Sequence, residues 1–290
     1  MNGVINVYKP VGCTSFDVVA ALKKICNTGK VGHTGTLDPL ASGVLPVCIG
    51  KATKIVDYIM EDIKIYKTQL KLGITTDTYD LEGKVTSSKD VDVNDEEILK
   101  VIKKYLGQTS QIPPMYSAIK VNGKKLYDLA RAGIEIERKG RLITIYDIYD
   151  ISISLPYVNF VVKCSKGTYI RSLCYDIGRD LNCGAVMTKL ERIRSGNFSI
   201  ENSINIQSLN AVNVGDYLIS IENALEKYKK VNLDKMFKKL LINGVKMNDP
   251  ALIDNVEENV IYRVYSDNDF IGLGLRTSKE FKIIKLLITG

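Results

Sequence analysis

The chain has 290 residues, of which 45% are hydrophobic and 25% are charged, the balance of an ordinary folded globular protein. No apolar run approaches the roughly 18 residues of a membrane span, and the first residues do not resemble a signal peptide, so we expect a cytoplasmic protein. The six cysteines include no Cys-x-x-Cys pair, and reduced thiols are expected. His33 is the one histidine, which argues against histidine-rich metal sites and leaves at most one candidate for a histidine-based catalytic dyad.

The first third of the chain is predicted to mix helices and strands around one long loop. A capping box at 14–17 and apolar residues at helical spacing after it predict a helix to about Cys26. Four glycines and two prolines make 29–46 a long ordered loop, before a short apolar strand at 44–49 and a helix at 51–59. Alternating apolar residues then predict a strand at 63–72.

The middle of the chain carries the clearest helix signal. Residues 94–106 begin with a capping asparagine and an acidic first turn, and they end in lysines before Gly107. Residues 116–121 read as a strand that stops at the turn signal Asn122-Gly123, and a helix after it ends at Gly133.

The last elements predicted for the larger part of the chain are two paired strands, a helix, another strand and a final helix. The paired strands are 141–155 and 157–164, and the next strand is 187–198. Thr168 is expected to cap the helix between them, whose apolar side is formed by Ile170, Leu173, Cys174, Ile177 and Leu181. A helix near 216–227 is followed by short strands and turns, and we place a domain boundary near 229.

Positive charge is concentrated in three stretches of the sequence. Residues 1–56, 103–131 and 163–194 carry net charges of +4, +5 and +4, whereas 61–99 carries −5, within a total of +7. One basic stretch is usually a solvated face, but three of them favour a polyanionic partner, because phosphate binding needs several Lys or Arg converging on one backbone.

The densest motif is the run Gly32-His33-Thr34-Gly35-Thr36-Leu37-Asp38-Pro39-Leu40-Ala41-Ser42-Gly43-Val44-Leu45-Pro46. Its glycines allow close backbone approach, and a proline restricts the residue before it, so the loop can hold the Asp38 carboxylate in one direction. An Asp-Pro pair on its own more often marks a simple turn.

The run 32–46 closely resembles the catalytic-aspartate motif of the TruB family, the tRNA pseudouridine-55 synthases. Further resemblances follow in family order over residues 4–198: Tyr8-Lys9-Pro10-Val11-Gly12, Lys64-Ile65-Tyr66, Thr76-Asp77-Thr78-Tyr79-Asp80, Gln111-Ile112-Pro113-Pro114-Met115-Tyr116-Ser117-Ala118-Ile119-Lys120, Gly167-Thr168-Tyr169-Ile170-Arg171 and Leu190-Glu191-Arg192. A whole ordered set is far more specific than any one short pattern.

The resemblance implies isomerisation of one uridine in the T loop of tRNA, after the base has flipped out of its stack. Asp38 matches the essential aspartate, acting as a nucleophile or initiating an elimination. Tyr66 matches a tyrosine that stacks on the target ring and assists removal of the C5 proton. Arg171 matches the arginine that pairs with the aspartate, a role suited to a permanently charged, bidentate guanidinium.

The resemblance also implies substrate-binding residues. Lys9 and Leu190 match a lysine that supports the pocket and an apolar residue beside the base, and Tyr169 lies in a matching motif. His33 matches a position near the displaced bases of the T loop. We expect phosphate contacts from the basic stretch, through Lys120, Lys124, Lys125 and Arg131.

Each of these residues has an ordinary structural explanation if taken alone. Tyr66 and Leu190 would usually be core residues, Arg171 a solvated cation and His33 a turn residue. Their joint occurrence favours the functional interpretation over these explanations, above all for Asp38, Tyr66 and Arg171. Two other hypotheses stay open: a guide-RNA-dependent relative acting on ribosomal RNA, and an RNA-binding or RNA-folding protein without the chemistry.

We therefore expect an α+β fold, with a large mixed, mainly antiparallel sheet and flanking helices in residues 1–228. Residues 229–290 resemble a small PUA-like β-domain that binds RNA. The segment 73–110 resembles the insertion of the bacterial stand-alone form, which implies a monomer needing no guide RNA or protein partner. No metal or cofactor is expected, because isomerisation is redox-neutral and hydrolyses nothing.

Overall fold

The computed structural model describes residues 1–60, 63–121, 123–253 and 256–288. Strands of the larger part are β1 (Gly3–Lys9), β2 (Val31–His33), β3 (Ala41–Ile49), β4 (Lys64–Leu72), β5 (Ile74–Thr76), β6 (Val85–Ser88), β7 (Gly107–Gln111), β8 (Lys120–Val121), β9 (Lys124–Lys125), β10 (Arg141–Ser154), β11 (Tyr157–Cys164), β12 (Ala185–Ser195), β13 (Phe198–Ser199), β14 (Ile204–Asn205) and β15 (Leu218–Ile219). Its helices are α1 (Ser15–Ile25), α2 (Val56–Met60), α3 (Asp95–Lys103), α4 (Leu126–Arg131), α5 (Ile170–Asp180) and α6 (Ile221–Ala224).

Within these ranges, eleven strands form one mixed sheet, in the order β14-β1-β3-β12-β4-β11-β10-β7 with β2, β13 and β15 alongside. Two pairings, β1 with β14 and β3 with β12, are parallel, and the other pairings of the sheet are antiparallel. The predicted α+β fold with a large, mainly antiparallel sheet is confirmed.

Helices α1, α3 and α5 pack on one face of this sheet over a continuous apolar core. The predicted apolar side of α5 is buried along its whole length. Two of the three predicted N-terminal caps form: Thr14 on α1 and Asn94 on α3 each exchange hydrogen bonds with the residue three positions later, which satisfies free amide groups at the helix start.

Four local predictions were wrong. The expected loop at 29–46 contains β2 and the first six residues of β3, because strands on both sides supply backbone partners. In the expected strand 116–121 only Lys120–Val121 is extended, and Asn122 lies outside the described residues. The helix near 216–227 is reduced to α6, preceded by β15, which pairs with β1.

The fourth error concerns the start of α5. Tyr169, not Thr168, occupies the capping position, and its side chain makes no capping hydrogen bond. The Thr168 hydroxyl instead donates to the backbone carbonyl of Ser165, at 2.9 Å. Thr168 therefore closes the turn before the helix rather than its first turn.

A second, four-stranded sheet follows, with the order β16-β17-β18-β19. Its elements are β16 (Lys229–Asn232), α7 (Lys235–Ile242), α8 (Pro250–Ile253), β17 (Ile261–Ser266), β18 (Asp269–Arg276) and β19 (Phe281–Leu286). It has its own apolar core. Leu273 and Leu287 also pack against Val4 and Ile55 of the larger part. The predicted small C-terminal β-domain is confirmed, whereas the exact division of the chain at 229 stays a prediction.

The helices in the described part of the chain are all too short or too polar to cross a membrane.

Candidate active site

A cavity of about 520 Å³ opens between the 34–39 loop, the ends of β4 and β12, and the segment 116–131. This volume lies in the range of small-ligand sites and suits a single nucleoside. Asp38, Tyr66, Tyr169, Arg171 and Leu190 all line it. These residues come from four distant parts of the sequence. The motifs predicted that they act together, and the fold brings them to one cavity.

Asp38 and Arg171 form an ion pair at the floor of this cavity. Arg171 Nε lies 3.0 Å from Asp38 Oδ2, and Arg171 Nη2 donates to Asp38 Oδ1 at 3.2 Å. The carboxylate side chain is 34% exposed while the guanidinium is only 7% exposed. The guanidinium thus holds the carboxylate from the protein side and leaves its other side free toward the cavity.

Arg171 is itself fixed by three further groups. It lies 3.3 Å from the carboxylate of Asp80, which is 3% exposed. It also donates to the carbonyls of Thr78 and Tyr116, at 3.3 and 2.9 Å. Because the guanidinium cannot move without breaking several buried contacts, its position relative to Asp38 is set before any substrate arrives.

The charge environment of Asp38 is mixed. Burial raises the pKa of its carboxyl; the Arg171 guanidinium opposes this shift and the nearby Asp80 adds to it. Lys9 also acts on Asp38 and favours the ionised form. The pKa of this carboxyl is therefore shifted upward although it forms an ion pair.

The loop that carries Asp38 is tied to the framework on both sides. Ser15 Oγ accepts from the Leu37 amide at 2.8 Å and donates to the Leu37 carbonyl at 3.0 Å. Gly43 has φ +110, and a side chain there would overlap the backbone of Arg192 on the neighbouring strand. The glycine is needed here because the two backbones pass too closely for any other residue.

Tyr66 and Leu190 face the same cavity from adjacent strands. Both side chains are buried, and the pairing of β4 with β12 places Leu190 opposite Thr68 and Arg192 opposite Tyr66. Burial raises the pKa of the Tyr66 phenol, and the neighbouring Arg192 works against that shift. The phenol therefore stays protonated where it lines the cavity.

Arg192 is a buried residue that we did not single out from the sequence. It is 2% exposed, and its guanidinium donates to the carbonyls of Val44 and Gly35, at 2.7 and 3.0 Å. It thereby holds both arms of the Asp38 loop while it lines the cavity beside Tyr66. Its position two residues after Leu190 on one strand was the available signal, because alternate strand residues share a face.

Asp80 is the second residue that sequence reasoning did not select. It lies within the quoted 76–80 motif, and the Thr78 hydroxyl donates to its carboxylate at 2.5 Å. Nothing in the sequence indicated that the Asp80 carboxylate pairs with Arg171, because Arg171 lies far away along the chain.

Tyr169 is positioned through its main chain. The Gln111 side chain accepts from the Tyr169 amide at 2.8 Å and donates to the Tyr169 carbonyl at 3.0 Å. This double contact anchors the residue immediately before α5 and hence the start of the helix that carries Arg171.

Two of the predicted substrate-binding residues do not line the cavity. Lys9 is fully buried, and its ammonium donates to the carbonyls of Pro10, Cys13 and Pro39, at 2.9, 2.7 and 3.5 Å. Through Pro39 it contacts the Asp38 loop from inside the protein. His33 ends β2 just before the lining begins at Thr34, and burial lowers the pKa of its imidazole.

The four predicted phosphate-binding cations lie on the segment that forms one side of the entrance. Lys120 and Lys124 are exposed on the short β8–β9 ribbon. Lys125 Nζ donates to the Tyr127 hydroxyl at 3.0 Å, and Arg131 lies 5.5 Å from the centre of the same ring. Of these four cations, Arg131 lines the cavity.

Comparison with known proteins agrees with this geometry. A model described as TruB family pseudouridylate synthase (N terminal domain) matches residues 23–170, and one described as tRNA pseudouridylate synthase B C-terminal domain matches residues 171–234. A Clostridium novyi protein named tRNA pseudouridine synthase B is 58% identical over 99% of this chain and 100% of its own length. A Clostridium tetani protein of that name is 57% identical with the same coverage.

Solved structures share the fold. The structure titled H/ACA RNP bound to a substrate RNA containing 2′-deoxyuridine matches 99% of this chain and 85% of that chain, with a TM-score of 0.73 and 26% identity. A Cbf5-Nop10-Gar1 complex matches with the same coverage, a TM-score of 0.72 and 28% identity. Fold, cavity and matches together define a pseudouridine synthase. More particularly, the chain belongs to the TruB family.

Proposed function

We propose that this protein isomerises the uridine at position 55 in the T loop of tRNA to pseudouridine. One observation carries the proposal: a carboxylate, Asp38, is held by Arg171 at the floor of a cavity of nucleoside size and keeps one side free for a substrate. The choice of tRNA is supported by the relatives, which are named tRNA pseudouridine synthase B.

The reaction exchanges one bond to the ribose for another. The bond between ribose C1′ and uracil N1 breaks, the ring turns, and a bond forms between C1′ and C5. The proton on C5 leaves, and N1 gains a proton, so the net change is an isomerisation. Asp38 starts this sequence, either as a nucleophile or by initiating an elimination, and the fixed Arg171 keeps it ionised and oriented.

The other residues hold the base and the loop. Tyr66 stacks on the flipped ring and assists loss of the C5 proton, while Leu190 and Tyr169 enclose the base. Lys9 acts indirectly, since it supports the loop of Asp38 through backbone carbonyls. His33 is assigned to the rearranged T-loop bases beside the cavity entrance.

The basic residues of the entrance bind the RNA backbone. Lys120, Lys124, Lys125 and Arg131 supply positive charge next to the opening and would contact phosphates of the T stem-loop. The C-terminal sheet is assigned as an additional RNA-binding surface of PUA-like type.

We further propose that the protein acts in the cytoplasm as a monomer, without a guide RNA or a protein partner. Relatives over the full length of this chain carry the tRNA synthase name, whereas the structural neighbours are titled as parts of larger H/ACA or Cbf5-Nop10-Gar1 complexes. The purified chain alone should therefore modify a tRNA transcript.

Tritium release from C5-labelled uridine tests this function directly. The purified chain is incubated with two tRNA transcripts in which every uridine is labelled at C5. One transcript has uridine at position 55 and the other has cytidine there. Release equal to one label per transcript, and only with uridine at position 55, is expected. Release from several positions, or only after a guide RNA is added, would contradict the proposal.

A further inference from the structure

One hydroxyl in the cavity wall, that of Ser117, has no hydrogen-bond partner among the residues that the structure describes. Ser117 is 5% exposed, it lines the cavity, and no group in the described ranges forms a hydrogen bond with its Oγ. Burying a hydroxyl unpaired is unfavourable, and most buried polar side chains in proteins avoid it. A group that fills the cavity could supply the missing partner.

The backbone around Ser117 is held firmly. Its amide donates to the Met115 carbonyl at 2.9 Å, and its carbonyl accepts from the Tyr127 amide at 3.1 Å. The preceding carbonyl, that of Tyr116, accepts from Arg171 at 2.9 Å. The hydroxyl is therefore attached to the same framework that fixes the Asp38–Arg171 pair.

The phenol of Tyr169 is the neighbouring polar group that acts on this hydroxyl. Burial raises the pKa of the Tyr169 phenol, and a hydrogen-bond interaction with the Ser117 hydroxyl opposes that shift. By distance and angle, however, no group in the described ranges forms a hydrogen bond with Ser117 Oγ, so this hydroxyl can turn toward a ligand. These two hydroxyls make their part of the cavity lining polar, whereas Leu190 contributes an apolar part.

We propose that Ser117 is a substrate-contacting residue whose hydroxyl donates a hydrogen bond to a carbonyl oxygen of the flipped uracil. This inference rests on the proposed function. Uracil offers acceptors at the C2 and C4 carbonyls, and a serine hydroxyl is a donor that rotates to suit its partner.

The geometry of the reaction explains why one fixed donor is enough. The ring must turn about the line through N3 and C6 so that C5 takes the place of N1 at the ribose. That rotation also brings the C4 carbonyl to the position of the C2 carbonyl. A donor fixed in the wall therefore meets a carbonyl oxygen both in uridine and in pseudouridine, and it stabilises substrate and product alike.

Three T stem-loop hairpins that differ only at the target position test this contact: uridine, pseudouridine or an abasic ribose. The pseudouridine and abasic hairpins are not turned over, so their dissociation constants are measured at equilibrium. For the uridine hairpin, the protein concentration that gives half the maximal single-turnover rate of label release is measured. In Ser117→Ala, both base-bearing hairpins should lose the same factor of about 3- to 10-fold, the usual worth of one neutral hydrogen bond. Binding of the abasic hairpin should not change.

Matched variants separate this contact from packing. Ser266 is also buried, and its hydroxyl has no partner within the described part of the chain, but it lies in β17 outside the cavity. Ser266→Ala should leave all three hairpins unaffected. Ser117→Cys keeps the side chain in place with only a weak donor, so it should behave like the alanine variant rather than the wild type.

Equal weakening of all three hairpins by Ser117→Ala would overturn the proposal, because it would indicate a contact to the RNA backbone or a structural role. Unchanged values for the base-bearing hairpins would overturn it as well. If the wild-type protein itself releases no label, the proposed function fails. If it releases label normally and only the predicted Ser117 effects are missing, the function stands and this contact is wrong.

Discussion

The floor of the cavity and the basic segment at its entrance are built in opposite ways. At the floor, Arg171 and Arg192 are buried. Their guanidinium groups form ion pairs or hydrogen bonds with carboxylates and backbone carbonyls of the surrounding protein. At the entrance, Lys120, Lys124 and Arg131 carry their charges at the protein surface. Fixed groups suit a reaction that needs one geometry, whereas exposed charges suit an RNA backbone whose phosphates can be reached in several ways.

This difference implies a division of labour. Changes at the floor should slow the chemical step and leave affinity for tRNA nearly intact. Changes in the basic segment should weaken binding and leave the rate of the bound complex nearly intact. The two regions share one cavity but should respond to different measurements.

Asp38→Asn should have the largest effect. The amide keeps the size of the side chain but removes the negative charge that initiates the reaction, so isomerisation should be abolished. Binding of tRNA should stay within a few-fold of the wild type, because phosphate contacts dominate affinity. Label release at a near-normal rate by this variant would remove Asp38 from the chemistry.

Tyr66→Phe should have the next largest effect on isomerisation. It keeps the ring that stacks on the base and removes the hydroxyl, so base extrusion should continue while proton removal from C5 slows. The expected loss in single-turnover release is about 10²- to 10⁴-fold, the usual contribution of general acid–base catalysis. A fluorescent base analogue at the target position follows extrusion separately. Lost extrusion would instead make Tyr66 a binding residue.

The pH dependence of the chemical step should report Asp38. Burial raises the pKa of this carboxyl above its ordinary value of 3.8. If the ionised form is required, the single-turnover rate should be constant above the raised pKa and fall about tenfold for each pH unit below it. Arg171 lowers this pKa. A lysine lacks the planar, bidentate guanidinium and should lower it less, so Arg171→Lys should move the midpoint of the pH–rate profile to higher pH. An identical midpoint in both proteins would contradict the assignment.

Charge removal in the basic segment should have the smallest effect per residue. Each Lys→Ala change at 120, 124 or 125 that removes a phosphate contact should reduce the slope of log affinity against log salt by about 0.7–0.9. Lys100→Ala provides a charge-matched comparison, because that lysine is exposed on α3, outside the three basic stretches and outside the C-terminal sheet domain. A slope unchanged after all four basic residues are removed would place the segment away from the RNA.

Local structure was predictable wherever neighbouring residues decide it. The capping pairs Thr14 with Asp17 and Asn94 with Glu97 form because both partners lie within one helical turn. The paired strands at 141–154 and 157–164 follow from alternation and the short connection between them. The expected helix near 216–227 failed, since pairing of Leu218–Ile219 with the distant β1 decides that segment.

The site was predictable only through the ordered set of motifs. No local pattern shows that Arg171 reaches Thr78, 93 residues away, or that Arg192 reaches Val44, 148 residues away. Asp80, Arg192 and Ser117 were visible within those motifs, but their partners depend on how the large sheet folds. Fold and cavity thus decide what a motif residue contacts.

One experiment tests the division of labour most directly. Label release under single-turnover conditions and tRNA binding at several salt concentrations are measured on Asp38→Asn and on the variant with alanine at 120, 124, 125 and 131. We expect Asp38→Asn to bind with wild-type affinity and release no label. The quadruple variant should bind weakly with a shallower salt slope, yet release label within a few-fold of the wild-type rate once saturated. Loss of binding in Asp38→Asn, or a slow saturated rate in the quadruple variant, would contradict the account.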